Sequence, residues 1–141
     1  MARRKGRILA FQALYSWEMG NKDKENLLSF AWVENEKLER LGEESLAFAR
    51  LLISGTLENI EKIDSVIKES LTENWEFSRL SKVDLSILRI SVYTLLFQKD
   101  IHPTIVIDEA IEIAKEYGSD DSFKFVNAVL DYIRKAEIAG S

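Results

Sequence analysis

The sequence predicts an all-α fold of six to seven helices, and three observations predict it. Only six glycines and one proline interrupt 141 residues, too few turn-formers for a strand-rich architecture. The composition, 46% apolar and 30% charged, is that of an ordinary globular domain. Apolar residues recur at helical spacings of three and four along most of the chain. The length fits one compact domain or two tightly packed subdomains.

The first helix is predicted from about Arg3 to Met19, with Ile8, Phe11, Leu14 and Tyr15 on its apolar side and Gly20-Asn21 ending it. A weaker helix spans about Lys24 to Leu41, with Gly42 as its stop. Leu46, Ala49, Ile53, Leu57, Ile60, Ile63, Ile67 and Leu71 then predict one long amphipathic helix of about seven turns. Trp75 and Phe77 fall in a short connection. Leu80 to Phe97 is apolar almost all round, as a central helix must be, with Asp84 and Arg89 as polar exceptions. After Ile101-His102-Pro103, Thr104 is the expected N-cap of a helix burying Ile107, Ala110, Ile111 and Ala114, closed by Gly118. Ser119 to Ser122 forms a loop, and a last helix runs from Phe123 to about Ala136.

Charge is unevenly placed. Arg3, Arg4, Lys5 and Arg7 give +4 before the first acid, so a net charge of −5 leaves −9 for the rest. Cations at a helix N-terminus oppose the macrodipole unless an anion is near. The cluster therefore reads either as a phosphate-contacting site or as a solvated basic terminus. Lys124-Phe125 is a second candidate. At 100° per residue Phe125 sits about 100° from Val126, at the edge of the buried face, and Lys124 points to solvent. The ring can stack on an unpaired base or pack on a neighbouring helix.

Other chemistry is poorly supported. Cysteine is absent, which removes disulfides, thiolate catalysis and Cys-ligated metals. Asp108-Glu109-Ala110-Ile111-Glu112 has no phosphate loop to accompany it, and acids early in a helix complement its dipole. His102, the single histidine, precedes a proline and has no nucleophile motif beside it. No catalytic residue, metal site or cofactor is expected. Neither a secretory leader nor a membrane span is legible, so a cytoplasmic protein is expected.

Three blocks carry a family resemblance: Ala2-Arg3-Arg4-Lys5 through Gln12-Ala13-Leu14-Tyr15-Ser16-Trp17; Leu88-Arg89-Ile90-Ser91-Val92-Tyr93; and Ile107 to Lys115 followed by Asp121-Ser122 and Lys124-Phe125-Val126-Asn127. Together they resemble the transcription antitermination factor B (NusB) family over essentially the whole chain. The resemblance implies two packed three-helix subdomains, about 1–76 and 77–141, and no enzymatic activity. It implies binding to the single-stranded boxA element of ribosomal RNA operon transcripts, alongside the small-subunit ribosomal protein that acts as NusE, and through them an indirect link to the RNA polymerase elongation complex. Carried over, Arg3, Arg4, Lys5 and Arg7 would meet phosphates, Gln12 would lie near the bases, and Asp121, Lys124 and Phe125 would complete the RNA surface. Tyr15 and Asp84 would face NusE. Two positions depart from the family pattern, Ala128 where glycine is usual and Phe123 where a polar residue is usual. A homodimer, or a helical adaptor that binds only protein, is the alternative. Related helical domains also precede RNA methyltransferases, whose catalytic cysteine has no counterpart here.

Overall fold

The computed structural model describes residues 2–72 and 75–140. Seven α-helices are present, with no strand among the described residues: α1 (Ala2–Glu18), α2 (Lys24–Ser29), α3 (Asn35–Glu58), α4 (Ile60–Ser70), α5 (Lys82–Phe97), α6 (Pro103–Tyr117) and α7 (Ser122–Gly140). A single 3₁₀ turn, Phe77–Arg79, leads into α5.

The apolar sequence of α5 puts it at the centre, with every residue from Leu85 to Leu95 buried. It packs against α1, α3, α4, α6 and α7. Ser81 caps its start, accepting a hydrogen bond from the Asp84 N–H at 3.0 Å. Arg89 is tolerated in this core because its charge is matched. Its Nε and Nη2 bind the two oxygens of Asp64 at 2.9 Å each, and Nη1 binds Glu18 at 2.6 Å. This triad ties the end of α1 to α4 and α5. Burial works against the Arg89 charge, but the hydrogen bonds it donates to Asp64 and Glu18, with their negative charge, outweigh it and raise its pKa.

Helix α1 packs along α3 and α5. Its first turns lie beside Asp100, Ile101 and His102 after α5, and its last turn reaches Arg89 and Lys82 near the start of α5. The two helices are therefore antiparallel. Close approach of α3 to α5 depends on Gly55, because the Tyr93 ring occupies the place a Cβ would take.

Three expected boundaries are corrected. The helix expected over Lys24–Leu41 stops at Ser29, since Phe30 takes a left-handed conformation (φ 59°, ψ 31°). Its ring is 1% exposed, and burying it is worth about 1.5–3 kcal/mol against about 1–2 kcal/mol for the backbone. Gly42 (φ 81°, ψ 162°) does interrupt the helical backbone where the sequence placed a stop, so that α3 is two helical stretches joined at a kink. The long helix through Leu71 is two helices parted at Asn59 (φ −115°, ψ 21°). The Asn59 side chain donates to the Gly55 carbonyl at 2.8 Å and competes with the helical ladder. Finally, His102 rather than Thr104 caps α6. Its Nδ1 accepts the Thr104 N–H at 3.1 Å, and Pro103 takes the first helical position, where a missing N–H goes unfelt.

Candidate nucleic-acid interface

The basic turns of α1 do not stand free. Arg3, Arg4 and Arg7 line a cleft of about 820 Å³ whose other walls include Glu44, Asp100 and Glu109. Three cations thus face three acids. Arg4 Nε meets Glu109 at 3.3 Å and Arg4 Nη2 meets Glu112 at 3.1 Å. Arg3 and Arg7 lie over the Phe48 ring, at 5.1 and 5.4 Å from its centroid.

Arg7 is withdrawn from the surface at 5% exposure. It shares the inward face of α1 with the buried Ala10, Phe11 and Leu14, a spacing the sequence already contained. Its Nε and Nη2 have no hydrogen-bond partner. Burial lowers its pKa, opposed by the charge of Glu109 and assisted by that of Arg3.

A different set of cations remains unpaired. Lys5 and Lys37 border a shallow groove with Ile8, Leu9, Gln12, Leu41 and Tyr117. The Tyr117 ring rests on Phe11 with centroids 5.2 Å apart. Partial burial and Glu116 push its phenol pKa up, opposed by the Gln12 side chain. Beyond the end of α6, Phe123 sits between Lys115 Nζ at 5.1 Å and Lys124 Nζ at 5.9 Å from its ring centre. No ion pair is formed by Lys5, Lys37, Lys115 or Lys124 among the described residues. Lys5, Lys37 and Tyr117 thus gather over α1, α3 and α6, and Lys115, Phe123 and Lys124 form a second cluster where α6 meets α7.

Phe125 lies elsewhere. Half-buried, it packs on Trp75 with ring centroids 4.6 Å apart, in a cleft with Ser70, Leu71, Thr72, Ala128, Val129 and Tyr132. None of these residues lines the arginine cleft. Two residues apart on α7, Phe123 and Phe125 point about 160° away from each other, one towards Lys115 and the other towards α4. Asp121 and Lys124 are exposed between them.

Tyr15, at 38% exposure, joins Phe11, Gln12, Val83 and Tyr117 in an apolar depression. Asp84 follows Val83 directly, and one of its carboxylate oxygens is buried without a partner. The sequence reading therefore brought together Lys5 with Gln12, and Tyr15 with the start of α5. It assigned no role to Lys37, Lys115 or Tyr117 and named Phe123 only as a departure from the family pattern; the meeting of Lys37 with Tyr117, and of Lys115 with Phe123, comes from helices distant in sequence.

Fold and face define an all-α protein with the pattern of charges and rings of a surface for polyanions. The sequence profile of the NusB family matches residues 4–135. The transcription antitermination protein NusB of Treponema denticola is 51% identical over 134 residues, covering 95% of this chain and 96% of its own. A solved NusB from T. maritima superposes with a TM-score of 0.77 at 41% identity, over 94% of this chain and 90% of that one. The antitermination factor in a crystal structure of NusB and NusE with double-stranded RNA superposes at 0.76 with 29% identity, over 96% and 97%. The chain belongs to the NusB family. Among the described residues no helix is long and apolar enough to cross a membrane.

Proposed function

We propose that this chain is a non-catalytic transcription antitermination factor that binds single-stranded boxA-type RNA together with the ribosomal protein acting as NusE, in the cytoplasm where transcripts are made. The observation that carries this is a pair of lysine clusters, Lys5 and Lys37 beside Tyr117 and Lys115 and Lys124 beside Phe123, with no ion pair among the described residues. Cations along a strand's path supply sequence-neutral attraction, and partly exposed rings offer platforms for unstacked bases. Family membership and the presence of RNA and NusE in a related crystal structure support the same reading.

Within it, Lys5 and Lys124 neutralise phosphates with Lys37 and Lys115, while Gln12 reaches bases beside Tyr117. Arg3 and Arg4 extend the contact at the α1 end, and Arg7 adds buried positive charge behind them. Asp121 and Phe125 border the far end of the strand. Tyr15 and Asp84 receive NusE. The apolar depression beside Tyr15 suits an apolar protein surface. The division into subdomains of about 1–76 and 77–141 is part of the proposal, with α1 packed on both.

Binding of a labelled boxA-type strand, a scrambled strand and a duplex, with and without NusE, tests it. The four lysine contacts alone contribute about −3 to the log–log salt slope, or roughly fifty-fold weaker binding between 50 and 200 mM salt. The boxA-type strand should win. Equal binding of all three RNAs would remove the sequence-reading function, and no binding would leave a protein-only adaptor.

A further inference from the structure

Within the basic first turns, the charge of Arg4 is held back by two carboxylates of α6. Glu109 and Glu112, three residues apart on the same helical face, reach across to Arg4 and take two of its guanidinium nitrogens, Nε at 3.3 Å and Nη2 at 3.1 Å. The two acids are not equivalent. The Glu109 side chain is 18% exposed, and its charge also supports buried Arg7. The Glu112 side chain is 58% exposed, so its charge can be removed without stranding a buried cation.

A guanidinium shared by two carboxylates is a poor receptor for a phosphate. Two of its three nitrogens already face carboxylates, and these acids repel the incoming anion at short range. Glu44 and Asp100 add negative charge to the walls of the same cleft. A loosely held strand would gain one phosphate contact from Arg4 only by breaking two ion pairs. A strand already fixed in register on the ring-lined face brings its phosphate to Arg4 without further loss of freedom, and can make the exchange.

We propose that Glu109 and Glu112 are specificity-determining residues, which withhold Arg4 from RNA that the bases have not already positioned. This rests on the RNA-binding function proposed above. Selectivity arises here by weakening the wrong complexes rather than by adding contacts to the right one. It also accounts for a basic terminus that folds against an acidic helix instead of projecting into solvent.

Glu112→Gln tests it, with wild type, Arg4→Ala and the double variant compared on an oligouridine and a boxA-type RNA of about twelve nucleotides each. In Glu112→Gln the oligouridine should bind about three- to tenfold tighter at low salt, and its log–log salt slope should steepen by about 0.7, one added phosphate contact. The slope for the boxA-type RNA should not change, because Arg4 makes that contact in wild type too. On the Arg4→Ala background the substitution should have no effect. An unchanged oligouridine slope in Glu112→Gln overturns the inference, and so does a gain that persists without Arg4, which would mark a general effect of charge. If wild type binds neither RNA, the function itself falls and the inference with it. If wild type prefers the boxA-type strand but Glu112→Gln changes nothing, only the inference falls.

Discussion

The start of α1 and the edge formed by α6 and α7 both carry clustered cations, yet folding treats them in opposite ways. The arginines of α1 fold against Glu44, Asp100, Glu109 and Glu112, all distant in sequence, and one of them is buried. Lys115 and Lys124 instead flank an aromatic ring and pair with no acid among the described residues. Lys5 and Lys37 extend that free charge across α1 and α3. Net charge along a sequence therefore locates a basic segment, but the field a ligand meets depends on which counter-ions the fold returns to it.

The largest effect that sharpens this contrast is expected from changing Lys5, Lys37, Lys115 and Lys124 together to Ala. RNA affinity should fall at least about a hundredfold near 50 mM salt and the salt slope should shrink by about 3, leaving only the share of the arginines; a slope that stays near wild type would break the contrast. Next is Phe123→Ala, which should weaken RNA binding about five- to a hundredfold through lost stacking, with little change in Tm. Phe125→Ala should lose about 1 kcal/mol of stability as its contact with Trp75 goes, with a smaller loss of RNA affinity. A stronger RNA effect than that of Phe123→Ala would move the reading surface to the α4 side. Smallest should be Arg4→Ala, under threefold on a scrambled strand.

One prediction concerns the joint that holds α1 in place. Burial raises the Glu18 carboxyl pKa, but hydrogen bonding and charge from Arg89, with Lys82 and Lys22, outweigh it and hold the pKa below its ordinary value. A depressed carboxyl stabilises the fold above its unfolded pKa of about 4.3 and loses that contribution as pH falls through the folded value. Glu18→Gln should therefore flatten the loss of Tm below about pH 4; an unchanged acid profile would show that the triad contributes nothing to it.

Much of the fold was legible because burial sets the spacing of apolar residues. The central position of α5 followed from its all-round apolarity, and α1 and α7 from their inward faces. The break at Asn59 was not legible, because Leu57 and Ile60 remain in helical register across it and the cause is one amide turned back on the chain. The cap of α6 was misassigned since a histidine nitrogen replaced the more usual hydroxyl. In the site, Gln12 beside Lys5 and the exposure of Lys124 could be read from one helix at a time. The burial of Arg7 could have been inferred from its phase with Ala10, Phe11 and Leu14. The pairing of Arg4 with α6, and the meeting of Tyr117 with Phe11, depend on how helices cross, which no local pattern states.

Ultraviolet cross-linking of a boxA-type strand, followed by mass mapping of the adducts, tests most directly where the RNA lies. Adducts on Tyr117 and Phe123, outnumbering those on Phe48 beneath the arginine pair, are the predicted result. Adducts confined to Phe48, or to Trp75 and Tyr132 across the α4 side, would contradict it.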